Sequence, residues 1–259
     1  MRRPPIVPLT VAALATALFA LPLLGLVWKA PWSVGWQELT SPPAVDALRL
    51  SLVTSLGATA LAVLLGVPLA WVQARFRYPG RRLVRALTTL PLVLPPVVGG
   101  TALLYGLGRR GLVGGPLDRI GIHLPFSTSG AVLAETFVAM PFLVLTAEAA
   151  FASANQRLEE AARTLGAGQW TVFRRVTLPL VRPSLLAGAV LCWARALGEF
   201  GATITFAGNF PGTTQTMPLA VYLSLESSRP QTAIVLSLVL LVVSLGVLVG
   251  LRERWLGVS

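Results

Sequence analysis

Six stretches of more than twenty residues run through this chain with almost no charge, and they constrain the fold more than any other feature. They are residues 4–28, 50–74, 86–108, 129–152, 181–206 and 230–251. A helix rises 1.5 Å per residue, so each is long enough to cross about 30 Å of hydrocarbon. Such runs have no stable place in water. Charged residues make up 12% of the chain and hydrophobic ones 54%, whereas a soluble domain carries about 25% charge. The expected fold is all-α: a polytopic membrane protein with about six transmembrane helices. One transmembrane domain covers residues 1–259, leaving no room for an appended soluble domain of useful size. Arg2-Arg3 opens like a signal peptide, but the apolar run behind it is too long for one, so it reads as an uncleaved first span. Pro91, Pro95, Pro96, Gly99 and Gly100 are expected to kink or break the third stretch.

The formal net charge of +11 raises the question of nucleic acid. The distribution answers it. One side of the membrane receives Arg2, Arg3, Arg75, Arg77, Arg81, Arg82, Arg85, Arg157, Arg163, Arg174, Arg175, Arg182, Arg252 and Arg254. The other receives Lys29, Arg49, Arg109, Arg110, Arg119 and Arg229. Fourteen against six follows the positive-inside rule, with Arg195 left inside a span. Both termini and the loop 153–179 are expected in the cytoplasm, and no nucleic-acid partner is implied. Trp28, Trp32 and Trp36 cluster where the first span ends, as interfacial anchors do. Linkers 29–45 and 109–128 read as outer loops.

Much chemistry is absent from the sequence. The only lysine, Lys29, precedes Ala30, so there is no phosphate-binding Gly-Lys-Ser/Thr loop. One histidine, His123, and one cysteine, Cys192, give no clustered metal site. No nucleophile elbow is present. These features weigh against an enzyme and against a proton-coupled carrier, which needs a relay of intramembrane acids. Glu135 and Glu148 lie within about two turns of the ends of the fourth stretch and are expected to reach the interface.

The longest polar interruption of the second half is Glu160-Ala161-Ala162-Arg163-Thr164-Leu165-Gly166, running on to Val176-Thr177-Leu178-Pro179. Leu158, Ala161, Ala162 and Leu165 fall at i, i+3, i+4 and i+7, so they share one face of a short helix. Ser153 with Gln156, or Asn155 alone, can cap its start, and Glu159 and Glu160 suit its first turn. Gly166 and Gly168 break the helix. A second turn follows with Trp170, Phe173 and Val176 on one side, and Pro179 is expected to end it. Glu-Ala-Ala, three residues, Gly, nine residues, then aliphatic-x-Leu-Pro resembles the EAA loop of ABC importer permeases. The resemblance implies a type I importer architecture in which elbow 153–179 docks into a separate ATPase. Glu159, Glu160, Ala161, Ala162, Gly166, Leu178 and Pro179 would carry that coupling. ATP and magnesium would be bound by the ATPase, leaving no cofactor in this chain.

The fifth stretch contains Ala194-Arg195-Ala196-Leu197-Gly198-Glu199-Phe200-Gly201-Ala202-Thr203-Ile204-Thr205-Phe206, followed by a Gly208-Asn209-Phe210-Pro211-Gly212 loop. Arg195 and Glu199 are four apart and can pair on one helical face. A lone charge at mid-membrane costs about 3 kcal/mol on insertion scales. The two must therefore face protein or a water-filled path, either as a packing pair or as a pathway lining. This run is similar to the molybdate/tungstate permease subfamily, with sulfate and thiosulfate permeases the nearest alternative. A stand-alone channel or secondary carrier is the alternative from another class. The resemblance implies a homodimer, two ATPase subunits, an extracytoplasmic oxyanion-binding protein, and a bacterial or archaeal inner membrane. Arg195, Glu199, Thr203, Thr205 and Asn209 are the pathway candidates, and loop 207–218 would meet the binding protein or the anion.

Overall fold

The computed structural model describes residues 5–255, with side chains described to residue 246. The terminal arginines used above for orientation, Arg2, Arg3, Arg252 and Arg254, lie outside the described side chains. Among the described residues the regular structure is helical throughout. Its helices are α1 (Ile6–Trp28), α2 (Gly35–Leu39), α3 (Pro42–Arg75), α4 (Arg81–Thr89), α5 (Pro96–Leu107), α6 (Gly114–Arg119) and α7 (Thr128–Ser153). They continue as α8 (Gln156–Thr164), α9 (Gln169–Val172), α10 (Leu178–Leu197), α11 (Gly201–Phe206), α12 (Met217–Glu226) and α13 (Pro230–Trp255). Among the described residues, four helical runs are long and apolar enough to cross a membrane: α1, α3, α7 and the continuous run Gln169–Leu197.

The core is α3, α7 and α10. Apart from Gln73, the buried positions of α3 are small and most recur every three or four residues, among them Ala47, Ser51, Thr54, Ser55, Ala58, Ala62, Gly66 and Ala70. In lipid there is little hydrophobic gain from joining two apolar helices, so association relies on close approach of backbones. Small residues allow that approach. Ala58, Ala62, Ala139, Leu143, Cys192 and Ala196 form one buried cluster across the three helices. Ala70, Val144, Ala147, Phe151 and Val181 form a second toward the end that bears α8. By contrast α1 buries none of its residues, and its apolar side chains suit acyl chains on all sides.

Of three sequence expectations, one is met in part and two change. The third stretch breaks at its prolines, as expected, but not at its glycines. Proline lacks an amide donor and disfavours the α region in the residue before it, and Pro95, which precedes Pro96, is extended at ψ 132°. The chain therefore passes from α4 through a short 3-10 turn, Leu90–Leu92, and restarts at Pro96. At about 18 Å, the twelve-residue α5 does not span a bilayer alone. Gly99 and Gly100 do not break it; both are buried contacts.

The fifth stretch also ends early. α10 stops at Leu197, residues 198–200 are non-helical, and α11 follows as a separate helix. Thirdly, Pro179 ends nothing. Phe173–Thr177 widens into a π turn that leads directly into α10, with Pro179 in its first turn. The extra residue of the π turn rotates the register. Trp170 and Phe173 stack with centroids 5.6 Å apart, whereas Val176 turns toward Leu158 and Ala161. Sequence reading also missed α12, which packs between α3 and α13 through Ala47, Met217, Ala220 and Leu236.

Candidate functional site

Two regions gather the residues singled out by the sequence. The first is the elbow at the α3/α10 end of the bundle. Asn155 caps α8, its Oδ1 accepting from the Arg157 amide at 3.1 Å. Ser153 instead donates to the Ala150 carbonyl. At the far end the Ala167 amide donates to the Ala162 carbonyl at 3.1 Å and the Gly166 amide to the Arg163 carbonyl at 2.9 Å. This is a Schellman closure, and it needs a residue with positive φ. Gly166 supplies it at +83°.

The elbow is clamped from within. Arg75, at the end of α3, donates to Glu159 Oε1 at 2.7 Å, and both side chains are about nine-tenths buried. The Thr177 hydroxyl donates to the same oxygen at 2.9 Å. Arg163 lies 3.8 Å from the other oxygen. One carboxylate thus joins α3, α8 and the π turn. Trp71 completes the support, packing on Phe173 at 4.8 Å and on Phe76 at 5.2 Å. Glu159 was expected to face a partner; it faces inward instead, because the clamp consumes its oxygens. Glu160, Ala161 and Pro179 are exposed, Ala162 and Leu178 half-buried, and Leu165 is 88% exposed. Leu158, Ala161, Ala162, Leu165, Val176 and Pro179 line one open apolar groove.

The second region lies near the middle of α7, where Ala139 packs with Ala196. Here the two helix breaks meet. A Cβ on Gly201 would stand 2.8 Å from Pro96 Cβ, and one on Gly100 would stand 2.7 Å from Thr205 Cβ and 2.8 Å from the Ala202 carbonyl. Helices α5 and α11 therefore touch backbone to backbone, and Gly100 is the residue that permits it. Glu199 sits in the break itself, not on α10. It still pairs with Arg195, Oε2 to Nη2 at 2.5 Å. Its Oε1 accepts from the Ala202 amide at 2.9 Å and so caps α11. The Glu199 side chain is 1% exposed, Arg195 28%. Gly198 and Pro95, in the two breaks, are exposed.

The remaining pathway candidates divide. Thr203 is fully buried and its hydroxyl has no partner among the described residues. Thr205 spends its hydroxyl on the Gly201 carbonyl at 2.8 Å. Asn209 accepts from Gln215 at 3.0 Å. The loop 207–218 was expected to face outward, but Thr214, Gln215, Thr216 and Met217 are buried. The Met217 amide is held by Ser51 at 2.7 Å and the Thr213 carbonyl by Thr128 at 2.8 Å. Only residues 210–213 form an exposed tip. Glu135 does not reach an interface; it is buried and accepts from Thr54 at 2.8 Å. Glu148 is paired with Arg85 of α4.

Residues 62–257 match the family of binding-protein-dependent transport system inner membrane components. The chain belongs to this family. This permease is an integral membrane transport subunit rather than an enzyme. It is 49% identical over 243 residues to the molybdenum transport system permease protein ModB of Mycobacterium tuberculosis, covering 93% of this chain and 92% of that one. It is 34% identical over 238 residues to the probable sulfate transport system permease protein cysT of Chlorokybus atmophyticus, covering 91% and 83%. The fold of the permease matches that of a bacterial ABC transporter involved in the import of the acidic polysaccharide alginate. That match has a TM-score of 0.74 at 22% identity and covers 97% of this chain and 96% of that one.

Sequence reading missed the clamp partners Arg75 and Thr177 and the contact residues Pro96, Gly100 and Gly201. Arg75 is 84 residues from Glu159, and nothing local pairs them. A signal for the second break did exist. Glu199 stands between Gly198 and Gly201 and three residues before Ala202, the spacing of a helix cap.

Proposed function

We propose that this permease carries molybdate or tungstate across a bacterial or archaeal inner membrane, driven by a separate ATPase that binds ATP and magnesium. Two copies form the pathway, each elbow docks on one of two ATPase subunits, and an extracytoplasmic binding protein delivers the oxyanion. Both termini and the elbow are cytoplasmic. The relative from Mycobacterium tuberculosis is named for molybdenum transport at 49% identity, against 34% for the one named for sulfate.

The observation that carries the reading is the meeting of two helix breaks beside Arg195. Irregular backbone at membrane depth is tolerated only inside protein or along a water-filled cavity. Here Gly198 and Pro95 are exposed on the single chain, so a second copy or water must cover them. Glu199 holds Arg195 at the edge of that surface, where its remaining N–H groups can meet an anion. At the other end the clamp fixes α8 while its small and apolar face stays open. ATP-driven movement of that face is then passed through α10 to the breaks.

The test is uptake by cells lacking their own molybdate transporter and supplied with this chain, its ATPase and its binding protein. Molybdate uptake blocked by tungstate but not by sulfate is expected. Equal suppression by sulfate would move the substrate to the sulfate branch, and uptake without the ATPase would overturn the coupling.

A further inference from the structure

The arginines of α4 take no part in either region above. Gly80, at φ +81°, turns the chain out of α3 and starts α4. Arg77, Arg81, Arg82 and Arg85, with Tyr78, border an open cup of about 710 Å³. Of the four arginines, Arg85 alone has a carboxylate partner among the described residues, Glu148. The inner face of α4 is anchored, with Gln73 of α3 donating to the Thr88 hydroxyl at 3.3 Å. The outer face carries Leu83 and Leu87, continued by Leu90, all exposed. Those leucines fall at i, i+4 and i+7, so they form one stripe running alongside the cup.

We infer that α4 lies in the membrane interface and that its arginine cup holds the phosphate of an anionic phospholipid, with the acyl chains along the leucine stripe. An amphipathic helix with basic residues beside an apolar face is the geometry that seats in the headgroup boundary. The charge is complementary: three cations without partners meet a phosphate. The stripe accounts for the tail, which a free oxyanion lacks. An isologous contact with a second copy centred on this cup would set arginine against arginine. The inference requires only that the chain spans a membrane, so it stands apart from the coupling mechanism.

The test is native mass spectrometry of the delipidated full chain titrated with phosphatidylglycerol and with phosphatidylcholine of the same acyl length. Preferential retention of phosphatidylglycerol is expected. Each basic residue near an anionic surface contributes about fivefold, so Arg81→Gln/Arg82→Gln should lower that preference roughly thirty-fold. The exposed single change Arg82→Gln should lower it about fivefold and keeps the test open if the double variant does not fold. Arg82→Lys should retain most of it. Equal retention of the two lipids, or an unchanged preference in Arg82→Gln, would overturn the inference. Displacement of the lipid by inorganic phosphate or molybdate would overturn it too and assign the cup to a free oxyanion.

Discussion

Both the elbow and the paired helix breaks are built around a buried glutamate held by an arginine, yet they use the pair in opposite ways. At the elbow both charges are about nine-tenths buried, and Glu159 also accepts from Thr177. The groove that remains open there is mainly apolar, lined by Leu158, Ala161, Ala162, Leu165, Val176 and Pro179 with Arg175 at its edge. At the breaks the carboxylate is sealed between Arg195 and the α11 amide, while the cation stays partly open. In the proposed mechanism the buried Arg75–Glu159 pair is scaffold and the apolar groove is the working surface, whereas at the breaks the carboxylate is scaffold and Arg195 is the working group.

The largest expected effect sharpens this contrast. Removing one member of a buried pair leaves an uncompensated charge and costs about 3–5 kcal/mol. Glu199→Gln should therefore lower the unfolding temperature and membrane yield strongly. Replacing both partners is close to neutral, so Arg195→Gln/Glu199→Gln should regain stability. It should not regain uptake, because the cation is gone. A double variant that transports at the wild-type rate would reduce the pair to packing and erase the difference between the regions.

Arg75→Ala comes next, at roughly 3 kcal/mol by the same reasoning. A thermodynamic cycle with Glu159→Ala, read by unfolding in detergent, should give a coupling above about 1 kcal/mol. Additive losses would mean that the clamp does not act as a unit. Gly100→Ala follows, at about 1–3 kcal/mol, since its methyl would strike Thr205 and the Ala202 carbonyl. A neutral result in a melting experiment would show that α5 and α11 can separate without strain. Gly166→Ala is smaller, at about 1–2 kcal/mol, because a Cβ at φ +83° is disfavoured although the space around it is open.

The sequence made some of this legible and hid the rest for definite reasons. Hydropathy reveals α1, α3 and α7 because their apolar runs are long and regular. The helix end at Gly166 and the choice of cap between Ser153 and Asn155 are local, so residue types at fixed offsets narrowed both, and the hydrogen bonds decide for Asn155. The third stretch announced its break through Pro95 and Pro96. The fifth hid its break from hydropathy, because Gly198, Phe200 and Gly201 keep the apolar average while abandoning the helix, and only the placing of Glu199 between the two glycines signalled it. Helix α12 was hidden for the converse reason. Thr214 to Thr216 look like an exposed polar loop, and only their burial against α3 shows that the chain folds back inward. The Arg75–Glu159 clamp is a tertiary contact between segments whose proximity no periodicity encodes.

The most direct test of the account is the retention of the ATPase by a Leu165→Asp permease. Leu165 is nearly fully exposed and touches no clamp residue, so the change should shift stability by less than about 0.5 kcal/mol. The account predicts a wild-type unfolding temperature together with loss of ATPase co-purification and of uptake. A Leu165→Asp permease that retains its ATPase and transports normally would contradict the assignment of the elbow as the coupling face.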